Sequence, residues 1–202
     1  MDIELARAWV RGIAEAVERD RERLGELDAA IGDGDHGENM HRGFAAAVEA
    51  VDKLTAETVG QVLTKTGTTL VSRVGGASGP LYGSAFRAAG KALAAESAEP
   101  EDVGAALSAA LEEVRRLGGA QAGDKTMVDA FAPAVEAFES TDTAASGEGA
   151  ADAAEEGLRA TEPMQARKGR ASYLGERSIG HLDPGAASTA LIFRALAEAE
   201  QG

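Results

Sequence analysis

Hydrophobic residues recur along most of the chain at the three- and four-residue spacing of amphipathic helices, with charged residues between them. Residues 66–71 form a short run that resembles a strand, but they continue the helical period of the preceding residues and are assigned to the same helix. Thr58 is typical of the N-cap of that helix. The pattern predicts eight helices, at about 3–24, 38–53, 58–71, from Pro80 onward, 100–117, 127–138, 148–162, and over a last segment with Leu191, Leu196 and Ala199.

No segment predicts a strand convincingly, and the short connections favour antiparallel neighbours. We therefore expect an all-α fold, an antiparallel eight-helix bundle. A chain of 202 residues is of a size to bury one core, so residues 1–202 are expected to form a single domain. Residues 140–149 are rich in Ser, Thr and Gly, which predicts a flexible surface loop.

Four connections are unusually rich in glycine and polar residues. They follow the first, third, fifth and seventh predicted helices, and alternate loops of an antiparallel bundle emerge at the same end. The sequence therefore predicts one composite site built from all four, with simple helix caps and turns as the alternative for each loop taken singly. The four connections are 32–39, 75–83, 118–126 and 164–185.

Composition narrows the classes of function. The chain has no cysteine, which excludes disulfides, thiolate metal sites and thiol nucleophiles. A formal net charge of −14 argues against binding to nucleic acid or to an anionic membrane, because both are polyanions. No apolar run reaches bilayer length and the first residues do not resemble a signal peptide, so a cytoplasmic protein is expected.

The stretch DAAIGDGDHGEN places Asp28, Asp33 and Asp35 around two glycines that break the helix. Two such carboxylates about 4 Å apart repel by roughly 4 kcal/mol at an effective dielectric constant near 20, so the cluster favours a bound cation. Oxygen ligands without cysteine favour Mg²⁺ or Ca²⁺, and the spacing is not that of an EF-hand. The local alternative is an Asx-turn in which Asp33 or Asp35 caps the next helix.

The other three connections offer groups that suit phosphate. Ser78 lies in GGASGPLYG before a helix N-terminus, and Lys125 in GDKTM is more typical of a solvated cation than of a phosphate ligand. The last connection reverses the local charge, and the fixed fork of an arginine such as Arg170 suits phosphoryl transfer, although pairing with the acidic surface is the alternative. Asp183 and Pro184 also form a helix start, while His36 and His41 have no serine at a spacing diagnostic of a hydrolase triad.

Together these motifs resemble one known family. LDAAIGDGDHGENMHRGF, GGASGPLYG, GDKTM and ARKGRASYLGERSIGHLDPGAAS are similar to the nucleotide-binding L subunit of dihydroxyacetone kinase, in order from about residue 5 to residue 200. The resemblance implies an antiparallel eight-helix barrel with the nucleotide at one end. It also implies that three aspartates, Asp28, Asp33 and Asp35, bind two Mg²⁺ ions that bridge the nucleotide phosphates.

The resemblance further implies a set of nucleotide contacts, and a side-chain role is least expected for Glu38, whose position is often small or neutral in relatives. Arg170 is expected to act on the transition state as well as on the nucleotide. The implied contacts are His36, Gly37, Glu38, Asn39, Ala77, Ser78, Gly119, Met127, Arg170, Asp183, Pro184 and Gly185.

In that family a tightly held ADP is phosphorylated in place by a phosphohistidine (M) subunit. The resulting ATP then phosphorylates dihydroxyacetone carried on a K subunit. Two alternatives remain open: a subunit of an ATP-dependent kinase for a related ketose, with freely exchanging nucleotide, or a module that senses nucleotide state and contacts a transcription regulator.

Overall fold

The computed structural model describes residues 1–140 and 146–202, and within them it is all-α, with no strand beyond an isolated bridge between Asp2 and Ser97. None of the helices in these two ranges is long and apolar enough to cross a membrane. A 3₁₀ helix, Arg170–Ser178, lies between α8 and α9. The α-helices are α1 (Ile3–Arg19), α2 (Arg21–Ile31), α3 (His36–Asp52), α4 (Val59–Arg73), α5 (Ser78–Ala92), α6 (Pro100–Gly118), α7 (Val128–Glu139), α8 (Ser146–Ala160) and α9 (Pro184–Gln201).

Eight of these helices pack as a closed ring. Following the ring, α1 contacts α3, each helix from α3 to α8 contacts the next one along the chain, and α9 returns to contact α1. The remaining helix, α2, packs on α3, on α9 and on the 3₁₀ helix. The predicted all-α eight-helix architecture is therefore confirmed, and the ring explains how the ends of distant segments can meet.

The first predicted helix is divided in two. Asp20 has φ −99° and ψ 10°, its N–H donates to the Ala16 carbonyl, and α2 begins at the next residue. The apolar period runs across this junction, with Val17 and Leu24 seven residues apart and both buried, so the sequence pattern alone did not reveal the break. The division lets α2 end at Ile31, beside the first glycine-rich connection.

Several predicted helix ends are confirmed by their caps. The Thr58 hydroxyl accepts a hydrogen bond from the N–H of Gln61, and Gly119 ends α6 with a left-handed φ of 59°. Of the loop predicted at 140–149, residues 146–149 belong to α8 instead, where Ser146 and Gly147 are buried, and 141–145 lie outside the described residues. The Ser and Gly content of 146–149 had favoured a loop, but packing against the ring overrides that weak preference.

Helices α4 and α5 approach so closely that their backbones touch through glycine. A Cβ atom added to Gly90 would lie 2.6 Å from the Gly60 carbonyl oxygen, and one added to Gly83 would lie 2.7 Å from the Gly67 carbonyl oxygen. Such distances leave no room for any side chain. The pair holds the start of α5, and with it the second glycine-rich connection, at a fixed place in the ring.

We expect Gly67→Ala to lower the free energy of unfolding by about 1–3 kcal/mol, because the new methyl would meet the Gly83 carbonyl and the Arg87 nitrogen 2.8 Å away. In an open helix the same change would stabilise, by roughly 0.5–1 kcal/mol. Gly149→Ala is the matched control, since nothing lies within 4 Å of a Cβ there. Urea unfolding of both variants measures the difference, and equal stabilities would contradict the close packing of α4 on α5.

Candidate functional site

A pocket of about 460 Å³ opens at the end of the ring where α2, α4, α6 and α8 finish. The four connections that follow these helices all contribute to its wall, which is the convergence that the alternation of loops predicts. The pocket also has apolar residues from helix ends, among them Ile31, Leu81, Val114 and Leu117. One cavity thus combines acidic, basic and apolar surfaces.

The acidic part of the wall is the aspartate cluster. Asp28 lies in the last turn of α2, Asp33 in the turn that follows, and Asp35 directly before α3. One carboxylate oxygen from each residue lies within 4.8 Å of the others. The turn depends on Gly34, which has a left-handed φ of 79°, and on Gly32, where a Cβ would overlap the Asp28 carboxylate.

Only one of these aspartates caps α3. The Asp28 carboxylate accepts hydrogen bonds from the N–H of Asp35 at 2.9 Å and from the N–H of His36 at 3.2 Å. Asp35 stands at the N-cap position but its side chain makes no capping bond. Asp28 therefore provides the cap that was considered for Asp33 or Asp35. The carboxylates of Asp33 and Asp35 are exposed toward the mouth of the pocket.

This donor set fits a hard divalent cation. It contains only carboxylate oxygens, and two of its three carboxylates are exposed, so water or a ligand could complete the coordination shell. Mg²⁺ bound by few carboxylates usually completes its shell with water and substrate phosphates. The cluster could hold such an ion at the mouth of the pocket.

The basic part of the wall comes from the connection between α8 and α9. The Arg170 guanidinium lies 2.7 Å from the Asp33 carboxylate and joins this connection to the aspartate turn. Arg167, Lys168 and Arg177 form no ion pair with any described residue, although Arg194 elsewhere engages three carboxylates. The alternative in which the whole basic loop pairs with the acidic surface thus applies to Arg170 alone.

His36 lies at the floor of the pocket in a polar network. Its Nε2 is 2.9 Å from the Ser188 hydroxyl and its Nδ1 is 3.2 Å from the Ser78 hydroxyl. Burial lowers the pKa of His36 against the opposing effects of Asp28 and Asp35, so the ring is neutral near pH 7. The Tyr82 hydroxyl extends the network to Ser188 at 2.7 Å. These contacts fix both ring nitrogens and leave His36 as a positioned neutral group.

Lys125 is neither the solvated cation nor the phosphate ligand that the sequence suggested as alternatives. It is 1% exposed, and its ammonium donates to the carbonyls of Thr161, Met164, Ser178 and His181 at 2.5–3.0 Å. It is also the one non-glycine residue among those described that has a positive φ, of 60°. No local sequence signal marks a lysine for burial or for a left-handed backbone, so the sequence could not reveal this environment.

Asp183 combines a structural and an electrostatic role. Its carboxylate accepts from the N–H of Ala186 at 2.7 Å, which confirms the predicted start of α9 with Pro184 in the first turn. Burial raises the pKa of Asp183 to about 7, and Asp129 adds to the increase, while Lys125 and the helix N–H groups oppose it. A buried group that titrates near neutrality at a pocket wall is typical of functional sites.

Most residues expected at the site line the pocket. Gly37, Glu38 and Gly119 do not: Gly37 packs against the Arg21 carbonyl, Glu38 faces outward beside Arg21 at 3.4 Å, and Gly119 ends α6. The apolar helix ends at the wall, such as Val114 and Leu117, have no local signature in the sequence and were not predicted. Those that line it are Asp28, Asp33, Asp35, His36, Asn39, Ala77, Ser78, Met127, Arg170, Asp183, Pro184 and Gly185.

The chain is similar to one protein-family model and to several known proteins. The DAK2 domain model matches residues 30–198. The chain is 43% identical to the "PEP-dependent dihydroxyacetone kinase 1, ADP-binding subunit DhaL" of Listeria innocua over 98% of both chains. It is 39% identical to the D-erythrulose kinase of Mycolicibacterium smegmatis, covering 96% of this chain and 35% of that protein.

A solved structure is similar as well. The dihydroxyacetone kinase from C. freundii in complex with AMP-PNP and Mg²⁺ aligns with a TM-score of 0.78 and 28% identity, over 98% of this chain. The chain spans about a third of the length of that kinase, 34%. The likeness therefore covers almost all of this chain and only part of the larger enzyme.

The raised pKa of Asp183 predicts that the free energy of unfolding depends on pH. Because its folded pKa is raised from an ordinary value near 4 to about 7, the folded state holds a proton that the unfolded state has lost in this range. The free energy of unfolding should therefore fall, on the order of 2–4 kcal/mol, as pH rises from about 4 to above 7. Asp183→Asn keeps a capping oxygen and removes this titration.

Urea unfolding at several pH values between 4.5 and 8 measures the difference between the wild type and Asp183→Asn. We expect the wild type to lose stability relative to the variant as pH rises. Glu156→Gln replaces an exposed acidic residue of α8 and controls for the loss of one charge. Parallel curves for the wild type and Asp183→Asn would contradict the raised pKa.

Proposed function

The chain belongs to the DAK2-domain family, and from this premise we propose that it is the ADP-binding, phosphoryl-transferring subunit of a dihydroxyacetone kinase. Residues 1–202 would act as one nucleotide-binding domain, in the cytoplasm and together with partner subunits. The observation that carries the proposal is the meeting of the aspartate cluster with Arg170 in one pocket. A 43% identical relative that bears the name of such a subunit supports it.

Asp28, Asp33 and Asp35 would hold Mg²⁺, with two ions as the proposed number. When bound, Mg²⁺ neutralises phosphate charge and orients phosphate oxygens for in-line transfer. Asp28 contributes from a fixed position, because two backbone N–H groups already hold its carboxylate. The exposed Asp33 and Asp35 carboxylates would face the incoming phosphates. Without such ligands the cluster and the net charge of −14 would repel a nucleotide.

The rest of the pocket would hold the nucleotide around the metal site. Ser78 offers a hydroxyl at the start of α5, where free N–H groups favour an anion. The neutral His36 ring adds a polar contact without bringing a further charge. Apolar residues such as Val114 and Leu117 offer a surface for the base. Ala77, Asn39, Met127, Pro184 and Gly185 complete the proposed contacts.

Arg170 would contact the phosphoryl group while it is being transferred. Its guanidinium lies at the aspartate cluster, where the transferred group would be, and it is exposed to the mouth of the pocket. A planar fork of donors suits the charge that spreads over the equatorial oxygens during phosphoryl transfer. Such a contact strengthens as the transition state forms, which raises the rate more than it raises affinity.

The other reactants would arrive on separate proteins. We propose that a phosphohistidine (M) subunit phosphorylates the bound ADP in place, and that a K subunit presents dihydroxyacetone to the resulting ATP. The nucleotide would then behave as a retained cofactor. A transcription regulator that reads the nucleotide state is a further proposed partner.

A second candidate is favoured by the 39% identity to a D-erythrulose kinase. In this version the chain serves an ATP-dependent kinase for a related ketose, and the nucleotide exchanges freely in each cycle. The two versions differ in whether ADP stays bound through dialysis and in which donor phosphorylates it.

Native mass spectrometry of the gently purified and dialysed protein tests the proposal. We expect one ADP and two Mg²⁺ per chain in the wild type, and we expect a phosphohistidine donor protein to convert that ADP to ATP. Asp33→Ala should abolish nucleotide retention, because it removes one of three metal carboxylates. Asp52→Ala, which breaks only the exposed pair with Arg11, is the control and should retain the nucleotide.

Each outcome decides between the candidates. Stoichiometric ADP on Asp33→Ala would count against the metal assignment. Complete loss of nucleotide from the wild type on dialysis, together with transfer from free ATP, would favour the ketose kinase. A wild type that binds nucleotide but passes phosphate to no acceptor subunit would overturn both enzyme readings and leave the regulatory one.

We expect Arg170→Ala to slow single-turnover phosphoryl transfer by about 10²-fold or more while nucleotide affinity falls less than about tenfold. The reason is that a contact made mainly in the transition state contributes little to ground-state binding. Calorimetry gives the affinity and rapid quench gives the transfer rate. Equal losses in both would contradict a transition-state role for Arg170.

A further inference from the structure

The Lys125 ammonium occupies a site made entirely of main-chain carbonyls. Thr161, Met164, Ser178 and His181 supply its four acceptors, at 2.9, 3.0, 2.7 and 2.5 Å. No carboxylate among the described residues lies within 4.0 Å of its ammonium. An ammonium has three N–H donors, so four converging carbonyls saturate it and leave none for a ligand. Lys125 is therefore bound by the protein itself.

Burying a charged ammonium away from water costs free energy, so its contacts have to compensate for the lost hydration. The lysine is 1% exposed, and its backbone holds a left-handed φ of 60°, a conformation that is strained for a non-glycine residue. Such strain persists only where the surrounding contacts determine it. The three ammonium donors, shared among the four carbonyls, make the contacts that do so here.

The four carbonyls come from the two ends of a single loop. Thr161 and Met164 lie where the loop leaves α8, and Ser178 and His181 lie where it returns to α9. Only a few other hydrogen bonds tie these ends together, among them Gly180 N–H to the Glu162 carbonyl at 2.8 Å. Lys125 thus closes the base of a loop whose tip carries residues 165–177.

The tip of this loop holds Arg170 over the aspartate cluster. Arg170 itself is exposed and reaches Asp33 at 2.7 Å, a single surface ion pair that contributes little to holding a loop. The base of the loop also leads directly into Asp183, whose N–H donates to the Thr161 hydroxyl at 3.0 Å. The base is therefore one of the attachments that place both pocket residues, beside the Arg167 N–H, which donates to the Asp124 carbonyl at 3.0 Å, and the packing of Ala171 against Ile31.

We propose that Lys125 is a positioning residue for phosphoryl transfer: by fastening both ends of the 161–183 loop, its ammonium sets Arg170 against the aspartate cluster. The expected effect on phosphoryl transfer rests on the proposed function, whereas the fastening of the loop does not. Lys125 lines the pocket, but its ammonium is saturated by carbonyls and would act through the loop. Its loss should therefore be felt at Arg170 rather than in the metal carboxylates, which belong to α2 and the turn before α3.

Limited proteolysis tests the loop without reference to activity. The tip carries four trypsin sites, at Arg167, Lys168, Arg170 and Arg177. In Lys125→Met, which keeps the side-chain length and removes every donor, cleavage in the loop should accelerate about tenfold or more, since local opening governs proteolysis. Lys65→Met, an exposed lysine of α4, is the control and should be cleaved as the wild type. Unchanged cleavage of the loop in Lys125→Met would overturn the proposal.

Kinetics and chemical rescue separate positioning from general destabilisation. Lys125→Met should lose about 10²-fold in single-turnover transfer, and less than about tenfold in nucleotide affinity, as for loss of the Arg170 contact. Lys125→Ala leaves a cavity that matches n-propylammonium, which should restore at least part of the lost transfer rate. Tetramethylammonium, a cation without N–H donors, should restore none.

The outcomes are distinct. Equal losses in transfer and affinity with no rescue by n-propylammonium would make Lys125 merely structural and overturn the proposal, as would normal transfer in a variant whose loop is opened. A wild type that transfers no phosphate with any donor would instead overturn the proposed function. In that case the cleavage pattern would still decide whether Lys125 fastens the loop.

Discussion

Closure of the helix ring is the constraint on which the site depends. Eight helices return α9 to α1, so an even number of antiparallel elements sends every second connection to the same end. The ring closes tightly because small residues let helices approach, most closely where α4 and α5 meet through their glycines. The pocket is thus a product of topology, since residues as distant as Asp28 and Asp183 are neighbours only after closure.

Charges of both signs meet at the open end of the ring. Three carboxylates converge there and Arg170 pairs with Asp33. Lys168 also lines the pocket and forms no ion pair with any described residue. The proposed metal–phosphate ligand would compensate both signs, because the metal would neutralise the carboxylates and the phosphates would neutralise the cations.

Two buried groups stiffen this open end. Lys125 fastens the basic loop through backbone carbonyls, and His36 joins the start of α5 to α9 through Ser78 and Ser188. Both place a polar side chain where water is excluded, so each hydrogen bond is strong and each missing partner would be costly. A rigid frame of this kind would hold Arg170 and the aspartate cluster in the arrangement proposed for transfer.

Local features of the sequence were enough to predict the helical class, most helix ends and the four connections that line the pocket. These follow from local rules: apolar period, caps such as Thr58 and Asp183, and glycines that break a helix. Folding was needed to show that Asp28 rather than Asp33 or Asp35 caps α3 and that α1 ends at Arg19. It also showed that Gly37 packs against α2 and that Glu38 faces outward. The surroundings of Lys125 also emerge only on folding, because its ammonium meets carbonyls 36 to 56 residues away along the chain and not those of its neighbours in sequence.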